Sequence, residues 1–72
     1  MLHNDKMFNI VDEVSILTMQ IQRGLYTNNI AEYFRYRVPG ITEDEISAIC
    51  EVLYPLQARV QKHIKEHGRP RA

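Results

Sequence analysis

Apolar residues recur along this chain with helical rather than strand spacing. Ile10, Val14, Leu17 and Ile21 follow one another at steps of four, three and four, the repeat that keeps side chains on one face of an α-helix. The spacing predicts a first helix over residues 5–23. Met7, Val11, Ile16 and Met19 widen its apolar arc beyond what one neighbour covers, so this helix is expected to be central or interfacial. Gly24 stands where a C-terminal cap would end it, and Asn4 and Asn9 each offer an oxygen for its start.

Thr27, Asn28 and Asn29 then supply capping oxygens ahead of Ile30, Tyr33 and Phe34, which share one face of a short second helix over residues 28–37. It must stop near Arg37, because Val38 precedes Pro39 and is pushed towards an extended backbone, while Gly40 tolerates a geometry that other residues avoid.

The third helix, residues 42–67, has the clearest start. Thr42 and Glu45 have the spacing of a capping box, and Ile41 is placed to staple onto Ile46 across it. Ile46, Ile49, Leu53, Leu56 and Val60 continue as a seam with steps of three and four, too short for a free coiled coil but long enough to pack on a neighbour. Pro55 interrupts the backbone hydrogen bonding without shifting this register and lies opposite the seam, so a kink is expected rather than a break. Gly68 and Pro70 end the helix, and residues 68–72 are expected to form a mobile basic tail. The pattern as a whole predicts an all-α, single-domain, three-helix fold.

Length changes this picture. A chain of 72 residues buries only about 60% of its unfolded surface, which makes a lone core marginal. One cysteine excludes an internal disulfide, and Cys50 with three histidines reproduces no zinc-finger spacing. Self-association remains as a source of buried area, and the expectation is a homodimeric helical bundle joined through the first and third helices by Ile10, Val14, Leu17, Ile21, Ile49, Leu53, Leu56 and Val60. Met7, Phe8, Met19, Leu25, Tyr26, Tyr36 and Tyr54 are more apolar surface than three short helices are expected to bury. Methionine and tyrosine are also favoured in protein interfaces, which points to a second protein as partner.

Charge narrows the alternatives. Nine basic residues balance nine acidic ones, which removes the general attraction to a polyanion on which most nucleic-acid binders rely. The charges are nonetheless segregated: residues 42–55 hold Glu43, Asp44, Glu45 and Glu51 with no base, whereas Arg59, Lys62, Lys65, Arg69 and Arg71 dominate residues 56–72. Helix dipoles alone favour this order, and either half has the charge to dock on its opposite in a second copy.

Residues 32–46 have the outline of a helix-turn-helix, but the second helix of that motif presents its first residues to base edges, and here those are Glu43, Asp44 and Glu45. A different nucleic-acid surface would combine Arg35, Tyr36 and Arg37 with Arg59 and Lys62. His63 and His67 lie one turn apart but lack a third ligand, and Cys50 falls on the packed side of its helix. There is no nucleophile with a base at recognisable spacing and no glycine-rich phosphate loop. No cofactor, metal or catalytic activity is therefore expected. The chain has neither a secretory leader pattern nor an apolar run of the ~18 residues that span a bilayer, which reads as cytoplasmic. The function expected is that of a small regulatory or adaptor protein acting through protein contacts, with a nucleic-acid-binding regulator as the alternative.

Overall fold

The structure, a computed structural model, describes residues 5–69. Three helices make up its regular structure: α1 (Asp5–Gln22), α2 (Ile30–Arg37) and α3 (Glu43–His67). The chain is therefore all-α, as the apolar periodicity requires. α1 is already helical at Asp5, so Asn9 is an interior residue, while Asn4 lies outside the described residues.

The ends of the helices follow their local chemistry. Leu25 N–H donates to the Gln20 carbonyl at 2.8 Å and Gly24 N–H to that of Ile21 at 2.9 Å. This pair of bonds forms a Schellman cap, and Gly24 has the positive φ of 73° that it requires. Asn29 caps α2, its Oδ1 accepting from Glu32 N–H at 2.9 Å. Beyond α2, Val38 is extended as its position before proline demands. A turn over residues 38–41 is closed by Ile41 N–H donating to the Val38 carbonyl at 3.2 Å. Pro39 and Gly40, the latter at φ 83°, occupy its two central positions as in a type II turn. At α3 both halves of the capping box form: Glu45 N–H donates to Thr42 Oγ1 at 3.1 Å, and Thr42 N–H to Glu45 Oε1 at 2.9 Å. α3 then runs through Pro55 without a break, with that residue on its exposed side.

α1 and α3 lie alongside each other and point the same way. Lys6 pairs with Glu45 near their starts at 3.3 Å, Val14 shares a groove with Ile49 and Leu53, and Gln22 shares another with Val60 and Ile64. Past the end of α1, Arg69 Nη1 donates to the Gly24 carbonyl at 3.0 Å, so the start of the segment expected to be a mobile tail is held against the fold. Residues 70–72 lie outside the described residues.

α2 covers one side of this parallel pair. Leu17, Ile21, Ile30, Phe34, Val38, Ile46 and Leu53 form the core between the three helices, with Ile41 packed at its edge in the expected staple position. Two polar side chains of α3 fasten the α1–α2 connection. The Tyr54 hydroxyl accepts from Ile30 N–H at 2.9 Å, and buried Gln57 donates through Nε2 to the carbonyls of Asn28 at 3.1 Å and Tyr26 at 3.3 Å.

Two substitutions test this framework. Gly24→Ala places a side chain in the left-handed region, at a cost of roughly 1–2 kcal/mol, and drives its Cβ into Ile64 Cδ1. The urea midpoint followed by circular dichroism should fall accordingly. Tyr54→Phe keeps the ring but leaves the N–H of fully buried Ile30 without its acceptor, which should lower stability by about 1–3 kcal/mol; an unchanged midpoint would show that this bond is not needed.

Candidate protein-binding face

Among the described residues, nothing covers the side of the α1–α3 pair opposite α2. Val14 of α1 and Ala48, Ile49, Val52 and Leu53 of α3 line a groove there of about 250 Å³. Its walls are apolar, and Val52 within it is 68% exposed. Farther along the same seam, Gln22, Arg59, Val60, His63 and Ile64 line a second depression of about 320 Å³ with a basic edge.

Placement of the eight expected dimer residues divides them. Leu17, Ile21 and Leu53 are almost fully buried among residues of their own chain. Within one chain these side chains are already covered, because α2, through Ile30 and Phe34, closes over the centre of the α1–α3 seam; Leu53 also reaches the groove on the other side. Ile10, Val14, Ile49, Leu56 and Val60 are half-buried around that core, so part of each remains accessible. Val52 did not stand out in the seam pattern because it falls one position before Leu53, on the flank of the heptad row. Its signal was an apolar residue at a position the core does not need.

Within the basic and aromatic segment, both arginines are held by carboxylates. Arg35 makes a forked pair with Glu43, Nε to Oε2 at 3.1 Å and Nη2 to Oε1 at 2.9 Å, and its Nη1 reaches Glu32 at 3.3 Å. The hydrogen bond to Glu43 is the main reason that the Arg35 guanidinium holds its proton above its ordinary value, and it holds the Glu43 carboxyl below the usual range. Glu45 is also held low, chiefly by the hydrogen bond from the Thr42 backbone. Arg37 lies 5.0 Å from the centre of the Tyr33 ring and 3.9 Å from Glu13. Tyr36 is 86% exposed. Arg59 and Lys62 are exposed and have no ion pair among the described residues. The structure thus brings Arg35 and Arg37 to carboxylates, and leaves Arg59 and Lys62 on α3, away from them.

On the α2 side, Ile16, Gln20, Tyr26, Tyr33 and Arg37 surround a third depression of about 350 Å³. Tyr26 and Tyr33 meet edge to face at 5.3 Å, and Tyr26 donates its hydroxyl hydrogen to the Asn29 carbonyl at 2.7 Å. Burial, followed by the proximity of Tyr54, pushes the Tyr26 phenol up. Tyr26 and Tyr54, counted from the sequence as surplus aromatic surface, are therefore structural. Cys50 is half-buried, and that burial raises its thiol above the ordinary value, which favours the unreactive protonated form. The rings of His63 and His67 stack at 4.6 Å, and no group of three or more potential metal ligands converges among the described residues. No helix among them is long and apolar enough to cross a membrane.

No protein-family model, curated protein or solved structure matches this chain.

Tyr33 supplies a test in alkali. Its hydroxyl donates to Glu13 Oε1 at 2.7 Å, and burial, reinforced by this hydrogen bond and the Glu13 charge, pushes the phenol up to about 12. The folded chain therefore holds this proton more tightly than the unfolded chain. The resulting stability is complete below the ordinary value of 10.0 and is lost as pH rises from there through about 12. Urea midpoints measured across that window should fall less steeply for Tyr33→Phe than for the parent chain, and equal slopes would exclude Tyr33 as a source of the loss.

Proposed function

We propose that this chain is a non-catalytic regulatory or adaptor protein: a homodimer, joined across the uncovered side of α1 and α3, that acts by docking on a second, larger protein. The observation that carries this reading is the apolar groove opposite α2, with exposed Val52 among its lining residues. Contiguous apolar surface on a small water-soluble fold favours association, and the groove is made by the two helices that the sequence pattern selects for it. Covering that side still leaves Phe8, Met19 and Tyr36 exposed elsewhere, at 65%, 52% and 86%. Side chains of these types suit an adaptable protein interface, and they support a partner beyond the second copy.

The competing reading, a nucleic-acid-binding regulator, draws on exposed and unpaired Arg59 and Lys62. It loses support from Arg35 and Arg37, which a phosphate would have to draw away from Glu43 and Glu13.

Light scattering at micromolar concentration is expected to return twice the chain mass of 8.5 kDa. Val52→Asp alters an exposed residue, so the circular dichroism of the helices should persist while the mass falls to that of one chain. A parent protein that scatters as a monomer overturns the dimer. Capture of a tagged copy from its native host should recover one protein in near equal amount, whereas retardation of DNA that weakens steeply between about 50 and 200 mM salt would favour the competing reading.

A further inference from the structure

The geometry points to an antiparallel dimer in which α3 of one copy lies on α3 of the other, with Val52 at the two-fold axis, Glu45 facing Arg59 and Ala48 facing Leu56. The inference rests on the homodimer reading above and adds the arrangement of its subunits.

Two rows of side chains on α3 meet at Val52. Ala48, Val52 and Leu56 are separated by four residues, and Glu45, Val52 and Arg59 by seven, spacings that keep each set on one side of a helix. This side borders the groove containing Ala48 and Val52 and the depression containing Arg59. The opposite flank of α3 is occupied by α2 through Tyr54 and Gln57. In an antiparallel two-fold pair centred on Val52, each residue before it faces the residue equally far after it. Glu45, seven positions before, meets Arg59, seven after; small Ala48, four before, meets Leu56, four after.

Charge selects this direction over the parallel one. A parallel two-fold pair sets Glu45 against Glu45 and Arg59 against Arg59, whereas the antiparallel pair sets each against the opposite charge. The neighbouring charges on this side largely agree: Asp44 accompanies Glu45, and Lys62 accompanies Arg59, with Glu51 beside the axis and Glu66 towards the end of the helix the two acidic exceptions. Glu45 keeps its charge through the Thr42 hydrogen bonds and its Lys6 pair, while Arg59 has no ion pair among the described residues.

The exposed area fits a second copy. A compact monomer of 8.5 kDa is expected to expose about 4,700 Å², but this chain exposes 5335 Å². The Cα radius of gyration of 13.5 Å likewise exceeds the ~11 Å of a compact domain of this length. A chain that leaves an apolar groove between α1 and α3 gains buried area by pairing along it.

Cysteine pairing reads the direction. In a Cys50→Ser chain, Ala48→Cys and Leu56→Cys are made separately, mixed and oxidised. The antiparallel pair gives mainly the mixed disulfide between positions 48 and 56, several-fold over either like-with-like product. Dominant like-with-like products, or a dimer mass with no crosslink, overturn the arrangement while leaving the homodimer standing; a monomer mass overturns both. Because Leu56→Cys trims a half-buried residue, an exposed position supplies a second reading. Arg59→Glu sets carboxylate against Glu45 and should raise the dimer Kd at least tenfold at low salt, with Arg59→Lys close to the parent. An unchanged Kd for Arg59→Glu overturns the pairing.

Discussion

Three hydrogen bonds from two side chains of α3 decide which side of this molecule is closed. Tyr54 accepts from the first amide of α2, and Gln57 donates to two carbonyls of the connection before it. These backbone groups lie where the chain leaves α1 and has not yet begun the next helix, and without partners their burial would be costly. Fixing them on α3 fixes the place where α2 starts. Ile30 and Phe34 then enter the α1–α3 seam from that side alone, and the opposite side has no helix left to cover it. The open groove is thus a consequence of where a polar clamp sits, as much as of the apolar residues that line it.

Electrostatics reinforces the same asymmetry. On the closed side the charges meet within the chain: Glu13 with Tyr33 and Arg37, Glu32 and Glu43 with Arg35. Exposed pairs of this kind contribute little stability individually, but they assign carboxylates to specific arginines. Along α3, by contrast, an acidic start and a basic second half are too far apart to satisfy each other within a straight helix. The basic half, with Arg59 and Lys62 free of ion pairs among the described residues, lies beside the uncovered groove, so apolar burial and charge pairing favour the same direction of approach. This is why a second copy is a more economical occupant than a surface of arbitrary charge.

The local grammar of the chain was legible from its sequence. The Thr42–Glu45 box, the Asn29 cap, the glycine at the end of α1 and the extended residue before Pro39 all depend on neighbours within a few positions, and all form as their residue types require. The seam of α3 also survives Pro55, because a residue opposite the core can lose a backbone bond without shifting the apolar register. Less legible were contacts between distant positions. Tyr54 and Gln57 reach across 24 to 31 residues, and no periodicity announces such bonds; Tyr54 consequently looked like spare interface surface. The same blindness applies to Leu17, Ile21 and Leu53. A helix pattern shows which face is apolar, but not whether that face is covered by α2 or by another chain. Val52 carries the complementary lesson: an apolar residue beside a seam, not in it, marks the side that the chain leaves open.

The corner over residues 32–46 shows how an outline gains its meaning from pairing. Helix, turn and helix succeed one another there, with arginines before the turn and carboxylates after it. Had those charges pointed away from each other, the arginines would have formed a free cationic edge. Instead the type II geometry at Pro39 and Gly40 folds α3 back until Glu43 grips the Arg35 fork, and a bidentate pair of that kind has directional requirements that a loose surface contact lacks. Phosphate approaching Arg35 would have to compete with a carboxylate already in place, against the repulsion of Asp44 and Glu45 beside it. The corner therefore acts as a joint that sets the angle of α2 against α3, and its cations stabilise the closed side of the fold. Among the described residues, Arg59 and Lys62 are cations without such partners, and they sit instead on the helix that borders the open side.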